Sequence, residues 1–158
     1  MRLKGPPPVD PADRALFVDR VLSGSVTLDG YKSGAFPAVA SWSRDRCDVA
    51  IDATDDAVEL ALRVGAMEKR IRFTPSGQLT VTYRWDPTAF PPDAFFCPEI
   101  SVARELALDL EPLPSGVWSF PFATVSRSES GFEETVQGHS YTPRWPVRAG
   151  QGKVIVRL

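Results

Sequence analysis

From Val58 to Trp85 apolar side chains fall at every second residue, a period that sets successive residues on opposite faces of a sheet. Val58, Leu60, Leu62 and Val64 alternate with Glu59, Ala61 and Arg63. Gly65-Ala66 then makes a tight turn into Met67, Lys69, Ile71 and Phe73, which predicts a hairpin. After the turn residues Pro75-Ser76-Gly77, Leu79, Val81, Tyr83 and Trp85 alternate with Gln78, Thr80, Thr82 and Arg84. Three successive antiparallel strands are expected here.

The rest of the chain is constrained by its 15 prolines among 158 residues, since each removes a backbone donor and obstructs a continuing helix. One helix is expected, over Pro11 to Leu22. There Asp10 can cap the first turn, Pro11 takes the tolerated first position, and Ala15, Val18 and Leu22 recur at helical spacing. Ile100, Val102, Leu106, Leu108 and Leu110 keep the strand period with Arg104 on the inward side, against a competing helix from Pro98 to Leu110. Val117 to Val125 and the closing Val154, Val156 and Leu158 bring the count to ten to twelve short strands. The expected architecture is all-β, an antiparallel sandwich of two sheets with one short N-terminal helix. Residues 1–9 read as a proline-rich lead-in, mobile unless it docks, and residues 10–158 as one domain.

Eighteen basic and 20 acidic side chains give a formal charge of −2 with no basic cluster, which excludes a nucleic-acid footprint. Cys47 and Cys97 stand far apart in no metal-ligand spacing, and read as two reduced thiols. The first residues lack the apolar run of a secretory signal and no stretch approaches a membrane span, so the cytoplasm is the expected compartment, without a membrane partner.

Near the end stand Ser128-Glu129-Ser130-Gly131-Phe132-Glu133, then Gln137-Gly138 and Arg144-Trp145-Pro146. In order before them come Arg14 to Asp19, Val58 to Phe73, Leu79 to Arg84 and Phe96 to Val102. This ordered set resembles the carboxy-terminal β-sandwich of family-57 α-amylases and 4-α-glucanotransferases, a domain of galactose-mutarotase-like fold. Ser101 and Val102 stand where that family usually carries asparagine and leucine. In the family, the nucleophilic glutamate and acid aspartate lie in an amino-terminal catalytic barrel. The resemblance therefore implies an accessory domain with no catalytic residues of its own and no cofactor. Its partner would be α-glucan or a glycoside hydrolase catalytic domain.

The residues themselves offer little chemistry. Glycoside hydrolysis needs two carboxyl groups about 5 to 9.5 Å apart. Glu129 and Glu133 on one extended strand would stand roughly 13 Å apart. His139 is the single histidine, too few for a mutarotase-type pair, and no nucleophile-elbow motif accompanies it for a Ser-His-Asp arrangement. Asp55-Asp56 reads as turn chemistry, without calcium-loop spacing. Glu99 and Arg104 read as a buried structural pair.

Pyranose rings stack on aromatic faces while polar groups hold their hydroxyls. Trp85 and Trp118 continue apolar faces and read as core. Trp42, Trp145 and Tyr31, set among polar or turn residues, are the carbohydrate-binding candidates. An exposed aromatic pair on one concave sheet would favour the accessory domain, which packs against a catalytic barrel or holds glucan. A broad apolar patch would favour the alternative, a stand-alone protein-interaction domain that never touches sugar.

Overall fold

The computed structural model describes residues 15–128 and 131–157. In chain order the strands are β1 (Leu16–Val18), β2 (Arg20–Leu22), β3 (Ala38–Ser41), β4 (Asp48–Ala53), β5 (Val58–Val64), β6 (Met67–Phe73), β7 (Gln78–Trp85), β8 (Phe95–Phe96), β9 (Glu99–Val102), β10 (Leu108–Glu111), β11 (Val117–Ser128), β12 (Gly131–Pro143), β13 (Trp145–Pro146) and β14 (Gln151–Arg157). Among the described residues a single α-helix, α1 (Leu28–Lys32), lies between β2 and β3. The expected hairpin and third strand are present as β5, β6 and β7, with Val64 opposite Met67 and left-handed glycines at Gly65 and Gly77. Glycine adopts that conformation without steric cost, which is why the turns sit there.

Three antiparallel sheets result: six strands in the order β10-β14-β7-β6-β5-β4, four in the order β1-β9-β12-β11, and four in the order β13-β8-β2-β3. Two sheets were expected, and the connectivity explains the third. Three stretches of chain pass from one four-stranded sheet straight into the other: β1 into β2 at Asp19, β8 into β9 at Cys97-Pro98, and β12 into β13 at Arg144. The two small sheets are thus one layer, bent along a line where Pro98 and Pro143 cannot donate ladder hydrogen bonds. Phe17 takes φ 62° at this corner, a left-handed value uncommon for a residue with a side chain. The architecture remains a sandwich, with one six-stranded layer and one folded layer.

The bend accounts for the main correction to the sequence reading. Residues 16–22, expected as the end of a helix from Pro11, form β1 and β2 instead, while residues 11–14 lie outside the described part. Leu16 pairs with Ile100 and Val21 with Phe96. The helix forms later, where Thr27 caps it by accepting from the Gly30 N–H at 3.2 Å. Residues 99–111 split into β9 and β10, and Arg104 lies exposed in the loop between them rather than pointing inward.

One apolar cluster fills the sandwich. Val81, Tyr83 and Trp85 from the six-stranded sheet meet Val21, Phe96, Ile100 and Trp145 from the bent layer. A second, around Leu22, Tyr31, Cys97 and Phe120, lies on the far side of that layer under α1. The residues 1–9 expected as a lead-in lie outside the described residues.

Candidate functional site

Two ionic devices hold the bent layer in place. Arg20, on β2, donates from Nη1 to Glu99 Oε2 at 2.8 Å and to the Tyr31 hydroxyl at 3.1 Å. The Tyr31 hydroxyl also donates to Glu99, whose other oxygen accepts from Ser101 at 3.0 Å and Ser140 at 3.2 Å. Burial and the Glu99 carboxylate together push the Tyr31 phenol well above its ordinary pKa, so it remains a donor. Glu99 was expected to pair with Arg104 and pairs with Arg20 instead. The second device joins the layers: Lys69 on β6 reaches Asp19 at 2.7 Å and the Phe17 carbonyl at 3.1 Å. Burial raises the Asp19 pKa against the opposing pull of Lys69. Both clusters pair their charges internally, with Asp19 Oδ1 left without a hydrogen-bond partner.

The carbohydrate candidates do not assemble. Tyr31 is fully buried, with its ring stacked on Phe36 and its hydroxyl committed to Glu99. Trp145 is also fully buried, its indole N–H donating to the Pro112 carbonyl at 2.7 Å. Enclosed rings cannot serve as stacking platforms, which corrects those two assignments. Trp42 is half-buried, edge-on to Phe90 and tilted against Phe96. Trp118 is half-buried as well, with the Arg144 guanidinium 4.3 Å from its ring centroid. Trp85 is core, as expected, donating to the Val147 carbonyl at 2.6 Å.

Catalytic groupings fare no better. Glu133 lies on β12 and Glu129 outside the described residues. His139 does gather neighbours: its Nε2 is 2.8 Å from Ser119 Oγ and its Nδ1 3.6 Å from Glu105 Oε1. The order matches a nucleophile, a base and an orienting acid, but the details do not. A separation of 3.6 Å is not a hydrogen bond, and the Glu105 side chain is 80% exposed. A carboxylate so hydrated holds an imidazole weakly, and Ser119 itself lies on the exposed surface of a strand.

What the molecule does present is an apolar face, built by strand register. Across the six-stranded sheet, Ile51, Leu60, Ile71 and Val81 form one row of directly opposed residues. Ala53, Val58, Phe73 and Leu79 form a second row. Along the first, burial falls steadily: Val81 is fully buried, Ile71 and Leu60 are half-buried, and Ile51 is 69% exposed. The bent layer is narrower than the sheet it covers. It leaves Val49, Ile51, Val58 and Phe73 open to solvent on the face that elsewhere is core. The opposite face of the same sheet is charged and solvated, with Arg70 bridging Glu59 and Glu68. The contiguity of the apolar side chains follows from the β4–β5 ladder.

Residues 101–158 match the family model described as Alpha-amylase/4-alpha-glucanotransferase, C-terminal. That segment runs from β9 onward and contributes strands to all three sheets. No curated protein matches the chain. Among solved structures, the crystal structure of 4-alpha-glucanotransferase from Thermococcus litoralis is similar, at 21% identity and a TM-score of 0.63. The likeness covers 92% of this chain and 28% of that one, so the chain spans little more than a quarter of that enzyme's length, and what the two share is the fold.

Proposed function

We propose, taking as premise that residues 101–158 carry the carboxy-terminal domain of the α-amylase/4-α-glucanotransferase family, that this protein serves α-glucan metabolism as a non-catalytic accessory domain. It works by packing against a catalytic barrel rather than by holding glucan. The observation that carries this reading is the open apolar face of β4, β5 and β6, where Val49, Ile51, Val58 and Phe73 are 40 to 69% exposed. Exposed contiguous apolar surface is costly in water and marks a contact with another protein surface. A glucan site needs aromatic faces flanked by hydrogen-bonding groups, and two of the three aromatic candidates are enclosed.

By itself such a face favours the alternative, in which the partner is a separate chain unconnected with sugar, and the match of residues 101–158 to the family model is what turns the reading toward a catalytic barrel. The two readings share their surface and differ in what covers it.

Titration with maltoheptaose and soluble amylose, followed by tryptophan fluorescence, separates packing from sugar contact. No saturable change is expected. A saturable change that disappears in Trp42→Ala would contradict the reading, since Trp42 alone among the three candidates retains solvent access.

A further inference from the structure

The open edge of β4 is distinct from its apolar face, and it is unusual among the edges of this fold. Proteins blunt exposed strand edges with bulges, prolines, short strands or charges, because free N–H and C=O groups recruit another strand. The other terminal strands follow that rule. The ladders of β1 and β3 are irregular and those strands have three and four residues. β11 contains Pro121 and a register shift, and four-residue β10 is followed by Pro112. β4 has six exposed residues, no proline and an unbroken register against β5, and its charges are Asp48, opposite Arg63, and Asp52.

Its charges are also unbalanced. Asp52 lies directly opposite Glu59 across the β4–β5 ladder, a like-charge pairing, and the cation nearby, Arg70, is 3.2 Å from Glu59. Among the described residues Asp52 makes no ion pair, and neither does Arg46, two residues before the strand.

We propose that two copies of this chain pair antiparallel through their β4 edges, about a two-fold axis at Val49, to make one continuous twelve-stranded sheet. Only two-fold registers with a residue on the axis keep the apolar side chains of both copies on one face, because side chains alternate with period two. Centring on Ala50 would set Asp48 against Asp52 of the second copy. Centring on Ile51 would give Asp52 only Ala50 as its neighbour. Centring on Val49 sets Val49 against its own copy, Cys47 against Ile51, and Arg46 against Asp52 twice over. That register supplies the cation that Asp52 lacks and needs the strand to extend by two residues to Arg46. A closed two-fold contact of this kind uses one surface on both partners and stops at a dimer.

Sedimentation velocity of the full chain from micromolar to near-millimolar concentration tests the pairing, with circular dichroism to confirm that each variant is folded. The wild type is expected to dimerise. Arg46→Asp and Asp52→Arg should each raise the dissociation constant about tenfold or more, and the double exchange should return it to near the wild-type value. A monomer at every concentration, a dimer indifferent to the single changes, or a double variant no tighter than the singles would each overturn it. None of these results bears on the apolar face, which edge pairing leaves uncovered, so a failure here and a failure of the packing role are told apart.

Discussion

Arg20 and Glu99 are the pair on which the bent layer depends, since they tie β2 to β9 at the point where the chain changes sheets. Both side chains are buried, at 10% and 0% exposure. Removing one partner from such a pair leaves an uncompensated buried charge, which costs roughly 3–5 kcal/mol. Arg20→Met should therefore lower the unfolding free energy by about that amount in chemical denaturation, and the double change with Glu99→Leu should recover much of the loss. A loss below about 1 kcal/mol in Arg20→Met would mean that Tyr31, Ser101 and Ser140 alone satisfy Glu99. The sequence signalled that Glu99 is buried and paired but pointed to the wrong arginine. Arg104 shares its segment and the expected period, whereas Arg20 is 79 residues away and sat on the polar side of an expected helix. Separation along the chain hides such a partner from any periodic reading. The Cys97 thiol, read only as reduced, is also buried, with its pKa pushed up to about 12 by desolvation.

At the scale of elements, the β5–β6–β7 meander was read well and the three-residue strands β1 and β2 were not. The β5–β6–β7 meander has short turns with left-handed glycines and a clean period of two, so all its information is local. β1 and β2 have three residues each and exist because β8 and β9 receive them. Spacing alone allowed Ala15, Val18 and Leu22 to suggest a helix. The β9–β12 contact is another distant pairing, and Gly138 makes it possible. A Cβ at that position would collide with the Val102 carbonyl and stand 2.7 Å from Phe122. Gly138 also sits where the β11–β12 register shifts. Gly138→Ala is therefore expected to force β9 and β12 apart and to cost about 1–3 kcal/mol, measured as a lower midpoint in denaturant with no change in the dependence on concentration. An unchanged midpoint would show that the strands can separate without cost.

For the whole molecule, the all-β class was legible from the alternating strands, and the ordered run that closes the chain lies in residues 101–158, which match the family model. The exposed apolar face was not legible. Val49 and Ile51 lie on a strand whose alternation is carried by small and acidic residues, and their exposure depends on how far a second layer reaches across the first. The aromatic residues misled for the converse reason. Trp145 and Tyr31 have polar or turn-forming sequence neighbours, yet Trp145 is buried between the layers and Tyr31 in the second cluster under α1. The central claim is that the uncovered half of this face packs on a catalytic barrel. The most direct measurement is calorimetric titration of the chain with the catalytic barrel of an α-glucan-active enzyme from the same cell, using wild type, Ile51→Asp and Phe73→Asp. Saturable binding with the negative heat-capacity change of apolar burial, weakened at least about tenfold in both variants, is the predicted result. Heat that is absent, or that is unchanged by the two substitutions, would contradict it.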